Sequence, residues 1–243
     1  MEENITARLD YLFATWQQDS GDQIVKDGVI QEDEWNRSRR KILFVLKEPN
    51  GGTKKALEDL ARIHNDLRQV EDPSRAGNWA HLGRWAYGLL GAGTEHIPAF
   101  GEANGSANML EAWRRIALMN LKKTPGKAQA DMSAIEQYAS ANREALVRQL
   151  DIMQADIVVC CGENMHSILF GVLQEREAAA QSEFGEVGRG EDCWLRKGVL
   201  YVQHYHPGAR LKSSVLYYGL VARFQQALVQ LSKLSDRRPA WAL

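Results

Sequence analysis

Ile42-Leu43-Phe44-Val45-Leu46-Lys47-Glu48-Pro49-Asn50-Gly51-Gly52-Thr53 is the stretch on which the fold turns. Five consecutive apolar residues with no polar alternation predict a strand covered on both faces, as in a parallel sheet. Pro49 has no N–H to give to a ladder, and with two glycines behind it the strand ends there. Thr53 then offers a hydroxyl as N-cap for a helix running through Ile63 or beyond. Strand, sharp loop and helix form the corner at which open α/β sheets carry their ligands. Glu48 stands on that corner, where a carboxylate is costly unless it faces a cavity or a partner. A pair with Lys47 or a cap on the next helix would satisfy it equally well.

Upstream, Ile5, Leu9, Leu12, Phe13 and Trp16 have the spacing of an amphipathic helix. Asp27-Gly28 is a turn signal. Downstream, residues 71–108 interleave seven glycines with Trp79, His81, Trp85 and Tyr87, and read as a short helix between loops. The stretch from Trp113 to Asn120 ends in the apolar run Ala117-Leu118-Met119, a second buried segment followed by the basic loop Leu121 to Lys127. Ser133 and Glu136 have capping-box spacing for a helix extending to about Gln154. Ile157-Val158-Val159-Cys160-Cys161, closed by Gly162, is a β-branched strand, with a helix over Asn164 to Gln174. Residues 179–192 read as a polar surface insertion. Trp194 to Arg196 and Val199 to His204 pair across Lys197-Gly198, and the last strand runs into His206-Pro207. Ser213 or Ser214 caps a terminal helix that buries Leu216, Leu220, Phe224, Leu228 and Leu231. These units predict one α/β domain over 1–243, with an N-terminal helical extension (about 1–40) and an insertion loop (about 71–108).

With 243 residues, 44% hydrophobic and 25% charged, the composition is that of a globular protein and excludes collagen, coiled coil and disorder. No apolar run approaches the roughly 18 residues of a membrane span. The acidic start Met1-Glu2-Glu3-Asn4 is unlike a signal peptide, so a cytoplasmic location is expected. Cys160, Cys161 and Cys193 are odd in number and lack metal-type spacing, so they read as packed thiols. His204 and His206, two apart in a strand, face one side as half of a metal site, but no third ligand is evident and no metal is expected.

The net charge of −1 argues against a strongly basic nucleic-acid binder, but its distribution is uneven. Residues 41–55 carry +3, residues 113–127 carry +5 and residues 204–212 carry +2, so these three segments hold ten positive charges in excess on an acidic remainder. Converging on one sheet edge with an Asn, a Glu and a His, they fit a polyanion.

Taken in order, four segments resemble the uracil-DNA glycosylase superfamily. They are Val45-Leu46-Lys47-Glu48-Pro49-Asn50-Gly51, Ala117-Leu118-Met119-Asn120 with Lys123 three residues on, Ile157 to Gly162, and Val199 to Arg210 with His206-Pro207. The matches cover about a third of the chain. The resemblance implies a three-layer α/β/α sandwich around a short parallel sheet, with DNA bound at the strand ends and a base flipped into the crevice. The implied reaction is hydrolysis of the N-glycosidic bond of uracil or a related damaged base in DNA, with single or double strands both open as the substrate. His206 would donate to the departing base, and Glu48 would orient water or balance the oxocarbenium charge. Asn120, with Lys47 beside it, would read the base. Lys122, Lys123 and Arg210 would hold phosphates, and Leu211 would wedge into the vacated stack. The iron-sulphur branch needs four spaced cysteines, which this chain lacks, so no cofactor is expected. The flipped base's stacking aromatic is unassigned, with Trp79, His81 and Trp85 in the corresponding region.

Two departures from the family pattern stand out. Leu46 occupies a position where the first motif normally has glycine, and Glu48 is longer than the usual site acid. Both favour a rival reading, a catalytically silent nucleic-acid or nucleotide-binding protein of the same fold. A third reading is a small-molecule hydrolase using Glu48 and His206.

Overall fold

The run Ile42–Leu46 is buried at all five positions and lies between two parallel neighbours, where an unbroken apolar strand is at home. The computed structural model describes residues 4–21, 23–75, 77–127, 129–174, 185–186, 193–233 and 239–242. In chain order its elements are α1 (Ile5–Ser20), β1 (Gly28–Val29), α2 (Glu32–Arg37), β2 (Ile42–Leu46), α3 (Lys54–Arg62), α4 (Gly77–Gly91), α5 (Phe100–Ala103), α6 (Ser106–Arg114), β3 (Ile116–Asn120), α7 (Met132–Ala141), α8 (Arg143–Met153), β4 (Ile157–Cys161), α9 (Met165–Gln174), β5 (Gly185–Glu186), β6 (Cys193–Arg196), β7 (Val199–His204) and α10 (Ser213–Leu231).

The strands form one mixed sheet in the order β1-β3-β2-β4-β7-β6-β5. Its centre, β3-β2-β4-β7, is parallel, and the outer strands join antiparallel. Side chains alternate across the sheet and seed two cores. Ile42, Phe44 and Leu46 pack with α3, α4, α6 and α10 on one side. Leu43 and Val45 pack with α1, α7, α8 and α9 on the other. Each fully buried Leu, Ile, Val or Phe contributes about 1.5–3 kcal/mol relative to exposure, so the layers hold themselves together. No helix among the described residues is long and apolar enough to cross a membrane.

Several local expectations need correction. The segment read as an N-terminal extension belongs to the core: α1 buries Leu9, Leu12, Phe13 and Trp16, and β1 completes the sheet edge. The segment 71–108 holds the 15-residue helix α4, the shorter α5 and the start of α6, not a short helix between loops. Two of the glycines that suggested loops, Gly83 and Gly88, are places of close helix approach. A Cβ on Gly83 would lie 2.5 Å from Met109 Cγ, and one on Gly88 would lie 2.4 Å from Val221 Cγ2. The C-terminal end of α4 is held by buried Arg40, whose Nη1 donates to the Leu89 and Ala92 carbonyls at 2.8 and 2.6 Å. Burial lowers that guanidinium to about 10.

The helix expected over residues 133–154 is two helices. Asn142 stops the first by turning its amide Nδ2 back onto the Tyr138 carbonyl, at 2.9 Å, while its Oδ1 accepts from Trp16 Nε1. The cap of α7 is Asp131, which accepts from the Ser133 and Ala134 N–H groups, not Ser133 itself. Lys212, not Ser213 or Ser214, occupies the N-cap of α10. Of the surface insertion read at 179–192, only Gly185–Glu186 lies within the described residues, as β5 paired with β6. All three cysteines are buried and none is in a disulfide among the described residues, and burial pushes the Cys160 thiol up to about 12.

Candidate active site

Because β3, β2, β4 and β7 are parallel and in register, their carboxyl ends share one edge. Leu46 is level with Asn120, and Cys161 with His204. The loops leaving that edge are stitched together by backbone bonds. Lys122 N–H donates to the Lys47 carbonyl at 3.0 Å, and Gly126 N–H donates to the Pro49 carbonyl at 2.9 Å. Gly51 N–H answers with a bond to the Gly126 carbonyl at 3.0 Å. A shallow, solvent-open groove of about 750 Å³ lies against this junction, lined by Gly51, Gly52, Gly126, Lys127, Gln129, Ala130 and Asp131.

Glu48 lies beside that groove with its side chain only 8% exposed. Its Oε2 accepts from Lys122 Nζ at 2.6 Å, and Lys122 Nζ also donates to the Thr124 carbonyl at 3.0 Å. The partner is therefore Lys122, not Lys47 or the next helix. Gly126 is glycine because its neighbour is this carboxylate: an added Cβ would fall 1.8 Å from Glu48 Cδ.

His206 lies two residues beyond β7, partly buried. Its Nδ1 accepts from Gly208 N–H at 3.0 Å. That bond places the proton of the neutral imidazole on Nε2, leaving Nε2–H as the donor. Burial, with the charge of Lys47 second, lowers the His206 pKa below the usual histidine value. Lys47 also runs across Gly162, where a Cβ would lie 2.8 Å from Lys47 Cε. Gly162 has φ of +123°, a conformation that only glycine adopts without strain. Lys47 thus lies along the edge between the end of β4 and the His206 loop.

Asn120 is 1% exposed and sits against Asp27, not in an open crevice. Asp27 Oδ2 accepts from the Asn120 backbone N–H at 2.7 Å, with the Asn120 amide Nδ2 3.4 Å away. Lys123 is fully buried, with Nζ 2.8 Å from both Asp27 carboxylate oxygens, and Gln149 Nε2 donates to Oδ1 at 2.6 Å. Phe13 and Trp16 present ring faces to the same ammonium at 5.5 and 5.7 Å. Burial lowers the Lys123 pKa while the Asp27 charge opposes that shift.

Two phosphate assignments are therefore corrected. Lys123 is consumed inside the protein, and Lys122 is spent on Glu48. Arg210 and Leu211 are exposed, Leu211 by 46%. Lys41, Arg114 and Arg115 lie at the amino ends of their strands, and Arg115 pairs with Glu34 and Glu111. The electropositive edge is carried by Lys47, Lys55, Lys127, Arg210 and Lys212, with Lys54 beside Glu58 at 3.8 Å.

Asp27 and Gln149 were the residues the sequence did not yield. Asp27 before a glycine has the form of a turn, whereas Gln149 on an otherwise apolar helix face was the available signal for a buried polar partner. Of the aromatics proposed for base stacking, Trp85 is fully buried and Trp79 packs edge-on against Trp113. Tyr205, 55% exposed between the two histidines, is the aromatic that this edge presents to solvent.

His204 faces the other way. It is 3% exposed and meets Trp85 edge to face at 4.7 Å, so it does not share a chelating side with His206. No group of three or more His, Cys, Asp or Glu among the described residues is placed to hold a metal ion. Both His204 ring nitrogens are buried without a hydrogen bond of normal geometry, and burial, with Arg223 nearby, lowers its pKa to about 3. Its folded value lies below the unfolded value of about 6.5, so its contribution is full above that pH and is lost as pH falls toward 3. A loss on the order of 1.4 kcal/mol per pH unit is expected below about pH 6. Urea unfolding from pH 7 to 4 should be less pH-dependent in His204→Phe than in wild type, and parallel curves would refute this.

A comparison of the chain with protein-family models and with curated proteins gives no match to either.

Proposed function

We propose that the protein is a DNA glycosylase that hydrolyses the N-glycosidic bond of uracil or a related damaged base, on a uracil-DNA glycosylase-like fold. The observation that carries this reading is His206. Its Nδ1 is occupied by Gly208 N–H and its pKa is lowered, so it stands at the strand-end edge as a neutral Nε2–H donor. In the proposed step, water attacks the sugar carbon as the bond to the base breaks, and the proton that the water gives up ends on the released base. The bonding electron pair leaves with the base, and negative charge grows on the base oxygen. A neutral donor strengthens as that charge grows, which lowers the barrier without a full proton transfer. Lys47 adds positive charge beside it. Glu48 supplies the carboxylate for water or for the oxocarbenium ion, with its orientation fixed by Lys122.

DNA would lie along the edge bearing Lys47, Lys55, Lys127, Arg210 and Lys212, with Tyr205 and Leu211 as its exposed apolar contacts. Paired charges drop out of the electrostatic count, so log affinity should fall against log salt with a slope of about −3.5 to −4.5, not the −9 that ten charges would give. Fluorescence anisotropy on single- and double-stranded uracil oligonucleotides measures it. The chemistry is tested by alkali cleavage of the abasic product. Excision supports the glycosylase, and salt-dependent binding without excision supports the silent binder. Neither binding nor excision removes DNA as the ligand. The silent-binder reading draws on Glu48, whose Oε2 is taken by Lys122 and whose Oε1 abuts Gly126.

A further inference from the structure

At the opposite side of β4 from β2, a second polar array is built from Ser167, His166 and Gln203, and the glycosylase reading does not use it. His166 and Ser167 are in the first turn of α9, and Gln203 is on β7. The Gln203 amide orientation is fixed by its neighbours. Its Nε2 donates to the Gly162 carbonyl and, at 3.3 Å, to the His204 carbonyl, which leaves Oε1 as an acceptor. That oxygen receives the His166 backbone N–H at 3.3 Å and lies 3.0 Å from His166 Nδ1. Nδ1 must therefore carry the proton, which leaves the Nε2 lone pair as an acceptor. Ser167 Oγ, on an exposed residue, is 3.1 Å from that Nε2. The imidazole is also held in plane by Trp194, stacked at 4.8 Å and 13°, with Phe170 edge-on at 6.0 Å.

We infer that Ser167 is a nucleophile, His166 its general base and Gln203 the residue that positions the base, and that together they accept small acyl groups from activated carboxylic esters. The arrangement has the required order: an exposed hydroxyl within reach of an unprotonated nitrogen, and a third group fixing the tautomer. In the step, Ser167 Oγ bonds to the acyl carbon while its proton passes to His166 Nε2. The carbon–oxygen bond to the leaving alcohol breaks, and that alcohol takes the proton from His166. Water then attacks the acyl-serine by the same route, releasing the acid and restoring Ser167. The first turn of a ten-residue helix is a favourable place for the negative charge that develops on the acyl oxygen. The base is activated only through a neutral carboxamide, so the acyl group must be a reactive one: a small acyl carried on a good leaving group. A carboxamide in the third position orients the imidazole but adds no negative charge to it, so the activity is expected to be modest.

The test uses a fluorophosphonate probe and p-nitrophenyl acetate on the full chain. Attack of Ser167 on the probe forms an Oγ–P bond and expels fluoride, while the buried cysteines are shielded from it. Intact-mass and peptide mapping should show one label, on Ser167. Ser167→Ala should abolish labelling. His166→Phe keeps an aromatic ring against Trp194 but removes the base, and should slow labelling by at least about 10²-fold. Gln203→Leu, which frees the imidazole tautomer, should slow it as well. The same ordering should appear in the acetate burst. His206→Asn should label as wild type, which separates this centre from the glycosylase edge. Labelling that maps to another residue, is absent from wild type, or proceeds equally in His166→Phe would overturn the inference. A hydroxyl that merely satisfies a surface histidine would not respond to any of these changes.

Discussion

Replacing Asp27 by Ala is expected to destabilise the fold by about 3–5 kcal/mol, the largest single loss predicted for this chain. The substitution strands the Lys123 ammonium at a fully buried position, with nothing but the Phe13 and Trp16 rings beside it. It also leaves Gln149 Nε2 and the Asn120 backbone N–H without their acceptor. The effect is one of an uncompensated buried charge, not of a strong attraction lost. The double variant Asp27→Leu/Lys123→Met should therefore recover most of the stability, because desolvating both ions costs nearly as much as their attraction returns. Urea unfolding of wild type, both single variants and the double variant closes the cycle. A loss under about 1 kcal/mol for Asp27→Ala would show that the ammonium escapes to solvent. A double variant no better than the worse single one would assign the cost to the hydrogen bonds and to packing.

His206→Asn is expected to reduce single-turnover excision of uracil by on the order of 10²-fold or more, with little change in DNA affinity. The argument rests on the bond from Gly208 N–H, which commits Nδ1 and leaves Nε2–H to the substrate. Asparagine retains similar size but not the same donor position, and its amide lacks the imidazole's polarisability. Glu48→Gln should also slow excision. It removes a negative charge near phosphate, so DNA binding should tighten if anything. It also weakens the hold on Lys122 Nζ, which becomes available to the ligand. Affinity by anisotropy and rate by abasic-site cleavage are read in parallel on each variant. Unchanged rates in both variants would eliminate the mechanism. Loss of affinity matching loss of rate in His206→Asn would make it a binding residue.

The parallel sheet was determined by the sequence. Three apolar runs, Ile42–Leu46, Ile116–Met119 and Ile157–Cys161, can satisfy their side chains only where both faces are covered, and each is followed by a residue or loop that ends it. The hairpin across Lys197-Gly198 and the buried stripe of α10 were legible for the same reason: periodicity and turn chemistry are local properties. The place of Glu48 and His206 at the carboxyl edge of the sheet was legible because each stands two residues after the end of a strand.

Only the tertiary structure decided which charges remain available. The sequence counts a net ten positive charges in three segments, but chain direction sends Lys41, Arg114 and Arg115 to the far edge, while Asp27 and Glu48 take Lys123 and Lys122. Asp27 lies 96 residues from Lys123 and 122 from Gln149, so no local pattern reveals that they meet. Gly83 and Gly88 carry the same lesson. The absence of a side chain reads as a loop signal until it is known that another helix passes within contact of the missing Cβ. Ser167, His166 and Gln203 are likewise ordinary surface residues in the sequence, and become an ordered array only because β4 and β7 are neighbours. Pairing of buried polar groups depends on which segments are brought together in space, and burial raises the energetic stakes of each pairing well above anything local propensity controls.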